Sequence, residues 1–244
     1  MISHEELSVL QTVFQRFAVP TTYVVLDTET TGVDTAADYL VDVGWLLVQQ
    51  GKITHRGNML LDWSSYQGYA YDVYQRLEQQ GQQYAAKGKL QHYTYSRLQL
   101  QGIPAAEVLT QYCDFIDWCL VSGIPIVGHG FWWFDRQVLN SHLARFFPQR
   151  SLSWHSNAIL DTGLLEKAIQ LGEVPWVGDF ADDWYTRVEA TVARVKWSLE
   201  GHCIPKYQLA DVTATTQKAH TAEYDCWMIH RLLQTYCYLA SGSV

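Results

Sequence analysis

The chain has no apolar run approaching the ~20 residues that a membrane-spanning helix requires, so no helical anchor is expected within it. It has no CxxC pair. Its five cysteines, Cys113, Cys119, Cys203, Cys226 and Cys237, are scattered and odd in number, which favours free thiols in a reducing compartment over a disulfide framework. The opening Met1–Glu6 is acidic and lacks a basic region followed by an apolar block, so no secretion signal is expected and the reading is cytoplasmic. Basic residues are scarce: 17 Lys and Arg stand against 25 Asp and Glu, a net charge of −8. That balance argues against broad, non-specific binding to duplex nucleic acid. It leaves room for a small site that takes a strand end, because bound metal ions reverse the local sign.

What is present describes an ordinary globular chain. Over 244 residues, 48% hydrophobic content can bury one large core, and no repeat or linker divides it, so residues 1–244 read as a single domain. Aromatics are plentiful, with 10 Trp and 15 Tyr. Most belong to a core, and a few beside a cleft can stack on bases.

One stretch organises the rest. Tyr23 to Leu26 is an apolar, β-branched run that ends in Asp27-Thr28-Glu29-Thr30-Thr31-Gly32. The run reads as a buried strand and Gly32 as a turn. Side chains alternate along a strand, so Asp27 and Glu29 leave the same side. Two carboxylates held that close call for a cation between them, and a divalent ion with oxygen ligands is the natural one.

Around this stretch the pattern is α/β. Residues 5–18 carry Leu7, Leu10, Val13, Phe14 and Phe17 at helical spacing. Strands over 39–48 and 53–61, joined at Gln50-Gly51-Lys52, make an antiparallel meander with the first strand. Residues 64–101 form a Tyr/Gln-rich segment that reads as irregular, with a helix around 70–86. A firmer helix starts at Pro104 and stops at Gly123, before a short strand over 124–128. His129-Gly130-Phe131-Trp132-Trp133-Phe134-Asp135 follows and leads into a helix ending near Pro148. A strand at 156–160, closing at Asp161-Thr162, precedes a helix over 163–171. Residues 172–205 read as an insertion with a helix at 182–196. Helical spacing resumes at 206–213, and the last helix covers 220–239.

The carboxylates now fall where an α/β sheet places its active sites, beyond strand ends. Asp27 and Glu29 close the first strand, Asp135 opens the helix after the fourth, and Asp225 lies in the last helix. Four carboxylates can hold two divalent ions about 3.5–4 Å apart, the arrangement for in-line phosphoryl displacement. His220 and Asp225 are five residues apart, roughly 140° around a helix, so they cannot share one face. If both reach the site, His220 must sit in the preceding loop or first turn, where an imidazole can act as general base at neutral pH.

The order Asp27-x-Glu29-Thr30-Thr31-Gly32, His129-Gly130-x-x-x-Phe134-Asp135 and His220-x-Ala222-x-x-Asp225 resembles the DEDDh (DnaQ-like) 3′–5′ exonucleases, over roughly residues 20–171 and 204–237. The resemblance implies a ribonuclease H-like fold with a mixed five-stranded sheet flanked by helices. It implies two Mg²⁺ or Mn²⁺ ions and release of nucleoside 5′-monophosphates from a 3′ end. By motif match, Asp27, Glu29, Asp135 and Asp225 are metal ligands and His220 the general base. The backbone at Thr30, Thr31 and Gly32 would meet the terminal nucleotide, with Val33 against its base, and Asp161-Thr162 would support the site. His129, Trp132 and Phe134 are further substrate-contact candidates. The family commonly has Asn where this chain has Gly130, and Trp132 and Trp133 crowd the position before Asp135: either one ring is core and the other a surface lid, or the pair is a stacking platform for single strands. Arg136, Arg145, Arg150, Lys206 and Lys218 are the candidates for phosphate contact.

The expectation is therefore a metal-dependent 3′–5′ exonuclease acting on single-stranded DNA or RNA, with a polymerase or a second copy as a protein partner. Two alternatives remain: an exonuclease fold kept as a non-catalytic accessory, and a phosphohydrolase for nucleotides whose pocket the aromatic insertion closes.

Overall fold

The computed structural model describes residues 2–66, 68–88, 91–154, 158–192, 194–209 and 221–242. The chain opens with helix α1 (His4–Arg16), fixed at its start by a capping box between Ser3 and Glu6. Strand β1 (Tyr23–Thr30) then pairs antiparallel with β2 (Leu40–Gln49), which pairs antiparallel with β3 (Lys52–Asp62). The β2–β3 turn places Gln50 and Gly51 at φ 52° and 75°, the left-handed geometry of a tight hairpin. Helices α2 (Ala70–Ala86) and α3 (Tyr95–Gln101), the short strand β4 (Ile103–Pro104), and helix α4 (Ala105–Val121) follow. Strand β5 (Ile126–Gly128), helix α5 (Asp135–Phe146), strand β6 (Ile159–Asp161) and helix α6 (Thr162–Leu171) come next. Helices α7 (Ala181–Ala190), α8 (Ile204–Tyr207) and α9 (Ala222–Ala240) complete the described elements.

The sheet is mixed, with order β4-β3-β2-β1-β5-β6 and β1, β5 and β6 mutually parallel. It has one strand more than expected. β4 is two residues that pair with Leu61 and Asp62 at the far edge, too short to leave a period in the sequence. In the Tyr/Gln-rich stretch the helix expected around 70–86 is present as α2, and the part expected to be irregular contains a further helix, α3. Val73 and Leu77 of α2 and Leu98 of α3 are buried against the sheet, and this packing overrides a weak local pattern. The helix expected over 182–196 stops at Ala190, where the buried stripe Trp184, Tyr185, Val188 runs out and two β-branched residues, Thr191 and Val192, follow. Helix α8 ends at Tyr207, with Gln208 at φ 54°, and residues 210–213 of the expected helical stretch lie outside the described residues.

Alternation along β1 decides what faces what. Val24 and Leu26 enter the core shared with α4 and α5, whereas Tyr23 and Val25 enter the one shared with α6 and α9. By the same parity Asp27 and Glu29 point toward α9, and Thr28 points toward α5. Helix α9 runs back along β1: the Cys226 thiol lies 3.7 Å from the Val25 carbonyl, and the Tyr23 hydroxyl is 2.8 Å from His230 Nδ1. Its first turn is thereby set beside the end of β1 that carries the carboxylates.

Candidate active site

Ligand oxygens of Asp27, Glu29 and Asp225 lie within 4.8 Å of one another at the end of β1. Asp135 approaches from the other face. It is buried, and its Oδ1 accepts hydrogen bonds from the Thr28 amide (2.9 Å) and the Thr28 hydroxyl (2.6 Å). The strand residue between the two β1 carboxylates thus orients the third element's carboxylate. The structure brings three of the predicted ligands, Asp27, Glu29 and Asp225, together, with Asp135 near enough to raise the pKa of Asp27 and Glu29. His220 lies outside the described residues.

Burial, then Asp225, Asp135 and Glu29, push the Asp27 carboxyl well above its ordinary value. Burial, then Asp225 and Asp42, do the same to Glu29. Asp135 is raised to about 7, with burial the leading cause. Among the described residues, no lysine or arginine lies within ion-pair distance of Asp27, Glu29 or Asp135. A cluster of oxygen donors that raise one another's pKa without a basic side chain fits hard divalent cations.

A cleft of about 370 Å³ opens over Asp27 and Asp225 and is also lined by His129, Ser198, Leu199, Glu200 and Gly201. A larger cleft, about 500 Å³, lies at the opposite strand ends between Phe17, Pro125 and Phe180, and Asp179 is its one lining carboxylate. The smaller cleft is where the donors converge.

The roof of that cleft comes from the segment expected to be an insertion. Residues 197–203 cross the site as a strap, with a π-helical turn over Leu199–Cys203. The strap is tied in front by His129. Its Nε2–H donates to the Trp197 carbonyl (2.8 Å), while Nδ1 faces the Thr162 hydroxyl at 3.0 Å. Burial lowers the His129 pKa, and both ring nitrogens are engaged in these contacts. Behind, the fully buried Glu166 gathers Lys206 (2.7 Å), Tyr207 (2.7 Å), Tyr236 (2.8 Å) and His202 (2.9 Å). Sequence reading missed Glu166 and Glu200. Glu166 on an otherwise apolar helix face was the available signal.

The loop after β5 is held by Asp161. Its carboxylate accepts from the amides of Gly130 (2.9 Å), Trp132 (2.8 Å), Gly163 (2.9 Å) and Leu164 (3.0 Å). Gly130 stands at φ 78°, a conformation that glycine adopts freely and asparagine tolerates, which accounts for glycine at that position. Asp161→Ala leaves four N–H groups, three of them buried, without this acceptor. We expect a loss of at least about 3 kcal/mol, read as a melting shift of roughly 6 °C or more for a chain of this size.

The substrate-contact candidates differ in packing and exposure. The Trp132 ring lies under Arg136, 3.8 Å from ring centroid to guanidinium carbon, and against Tyr185, so it packs into the cores instead of offering a free face. Trp133 is the partly exposed tryptophan, edge-on to Trp197 at 5.7 Å. Phe134 packs against Trp133 at the start of α5. The Thr31 amide donates to Tyr39 O (2.9 Å), its hydroxyl to Asp38 (2.8 Å), and the Thr30 hydroxyl to Gly32 O, so much of that floor is already engaged. Val33 is 87% exposed. Tyr84, near the end of α2, was not foreseen. It lies one turn beyond Gln80, whose amide reaches Thr30 O (3.2 Å), and burial followed by Glu29 and Glu200 raises its pKa.

The basic candidates are engaged elsewhere. Arg136 donates to Trp132 O, Arg145 lies on Tyr39, Arg150 pairs with Asp114 and Asp117, and Lys206 pairs with Glu6 and Glu166. Lys218 lies outside the described residues. Among the described residues the cleft is lined by the carboxylates of Asp27, Glu200 and Asp225 and by no lysine or arginine, and cations held there would reverse the local sign.

No known family model and no curated protein matches the sequence. Solved structures do match. Escherichia coli exonuclease I in complex with a dT13 oligonucleotide superposes at TM-score 0.55 with 16% identity, over 92% of this chain and 42% of that one. A zinc-bound complex of the same enzyme with single-stranded DNA gives TM-score 0.55 at 14% identity, over 89% and 40%. Exonuclease I from Methylocaldum szegediense gives 0.54 at 15%, over 91% and 42%. The chain thus has the α/β fold found over part of exonuclease I and spans about two-fifths of the length of these proteins. None of the three is a polymerase complex.

Proposed function

We propose that this chain is a metal-dependent 3′–5′ exonuclease acting on single-stranded ends and releasing nucleoside 5′-monophosphates. What carries the reading is the convergence of Asp27, Glu29 and Asp225 within 4.8 Å, with Asp135 behind them, at the strand ends of an exonuclease I-like sheet. A binding module has no use for four mutually repelling carboxylates. They cost stability, and only a bound charge offsets that cost.

Asp27, Glu29, Asp135 and Asp225 would hold two Mg²⁺ or Mn²⁺ ions. When bound, these ions supply the positive charge that a phosphodiester needs and acidify a nearby water. Thr28 keeps Asp135 turned toward the site. His220, two residues before the start of α9, is the proposed base that takes the proton of the attacking water. The floor at Thr30–Gly32, with Trp133 and Tyr84 flanking, is the proposed seat of the terminal nucleotide.

A second reading, hydrolysis of nucleotides or very short oligomers, draws on the strap at 197–203 that roofs the cleft. One experiment separates the two. The chain is incubated with 5′-labelled DNA and RNA oligomers, and separately with nucleoside triphosphates, with Mn²⁺ and with EDTA. Mass spectrometry of the products should show ladders shortening by one nucleotide from the 3′ end, abolished by EDTA. Untouched 3′ ends with Mn²⁺ present would sink the exonuclease reading, and turnover of triphosphates alone would install the second.

A further inference from the structure

Helix α9 carries Asp225 in its first turn, and something must fix that turn against β1 to within a fraction of an ångström. Two residues of β2 do so. Asp42 and Gly44 are two apart and share the face that looks toward α9, as do Leu46 and Val48. In the β1–β2 ladder they are the rung partners of the two carboxylates: Asp27 pairs with Gly44, and Glu29 pairs with Asp42.

Gly44 provides closeness. A Cβ built there would lie 2.5 Å from the Ala222 carbonyl oxygen and 2.7 Å from the Glu223 nitrogen, whereas ordinary contact begins at about 3.4 Å. These neighbours are backbone, so they cannot rotate away. Asp42 provides attachment. It is fully buried, and it accepts from the Ala222 amide (3.4 Å), the Tyr93 hydroxyl (2.8 Å) and, on both carboxylate oxygens, from Asn58 Nδ2 (3.0 and 3.3 Å). A carboxylate at the N-terminus of a helix is favourable, while one buried beside Glu29 is costly. A neutral core residue would avoid that cost, so retaining the charge calls for a role.

We infer that Asp42 and Gly44 are positioning residues that seat the first turn of α9 and thereby bring Asp225 into register with Asp27 and Glu29. Neither touches substrate. They act on where the third carboxylate stands. The inference rests on the proposed function, since it explains how the metal-binding geometry is held. Displacement on the order of 1 Å is enough to disable such a site.

The test is Mn²⁺ titration by calorimetry on wild type, Gly44→Ala, Asp42→Ala and Asp42→Asn, with far-ultraviolet circular dichroism to confirm folding. Gly44→Ala and Asp42→Ala should weaken Mn²⁺ binding at least tenfold. Asp42→Asn should stay within about threefold of wild type, because its amide oxygen can still accept from Tyr93 and Ala222 while Asn58 turns its own amide. Should Gly44→Ala fail to fold, the Asp42 pair decides alone. A merely structural residue would lower the melting temperature and leave Mn²⁺ affinity of the folded protein unchanged, and that result overturns the inference. If wild type itself binds no Mn²⁺, the proposed function fails and the inference with it. If wild type binds but all three variants bind equally, the inference alone fails.

Discussion

Asp27→Asn is expected to lower the rate of 3′-end hydrolysis by about a thousandfold or more, equivalent to roughly 4 kcal/mol of barrier, while the metal-free protein becomes more stable at pH 8. The two halves have one cause. Asp27 sits in the cluster with Glu29 and Asp225 and also feels Asp135, so each of the others raises its pKa. Asparagine has nearly the same shape and one neutral oxygen. It keeps the packing at the end of β1 and removes a repelling charge, which relieves the folded state. It also removes the ligand whose neighbours come from β1, α5 and α9 alike, which the chemistry cannot spare. Rates on a 5′-labelled single-stranded oligomer with Mn²⁺, and melting without metal, would check both. A variant that keeps a tenth of wild-type activity, or melts lower than wild type without metal, contradicts the assignment.

How much of this was legible in the sequence follows from which interactions are local. Strand alternation placed Asp27 and Glu29 on one side, and the structure agrees because β1 is regular through Glu29 before a register shift. The fold class followed from the same alternation and from helical spacing in α4, α5 and α9. Longer-range features left little trace. Asp42 was visible only as a lone charge within the apolar run Tyr39–Val48, and its meaning depends on a helix 180 residues later. The strap at 197–203 is held by Glu166, Lys206 and Tyr236, residues from three helices, so no local pattern announced it. The basic residues near the motifs looked free because their acidic partners, such as Asp114 and Asp117 for Arg150, are distant in sequence. Trp132 and Trp133 could not be told apart, since a loop has no period to say which ring turns inward.

Between pH 6.5 and 8 the metal-free protein should lose stability as pH rises, and saturating Mn²⁺ should remove most of that loss. The sign comes from the carboxylates. Asp135 titrates at about 7 when folded, against about 3.9 unfolded. Asp27 and Glu29 are also raised well above their ordinary values. The folded state therefore holds more protons than the unfolded state in this window, so stability falls as pH climbs through it. Other groups set the limits of the window. Burial lowers the pKa of His129, His142 and His230, which makes folding more favourable as pH rises, but unfolded histidine is already about half neutral at 6.5 and little of that gain is left above about 7.5. Burial raises Cys113, Cys119, Cys203, Cys226 and Cys237, which matters only above about 8, where unfolded thiols ionise. Within the window the carboxylate cluster dominates. Metal ligation requires the deprotonated forms, so Mn²⁺ must displace protons and bind more tightly as pH rises. Its stabilisation should accordingly be larger at pH 8 than at 6.5. Calorimetric titrations in two buffers of different ionisation enthalpy would count the protons released. Metal-free melting that stays flat or climbs from pH 6.5 to 8, with no proton release on Mn²⁺ binding, would show that the four carboxylates do not form a cation site.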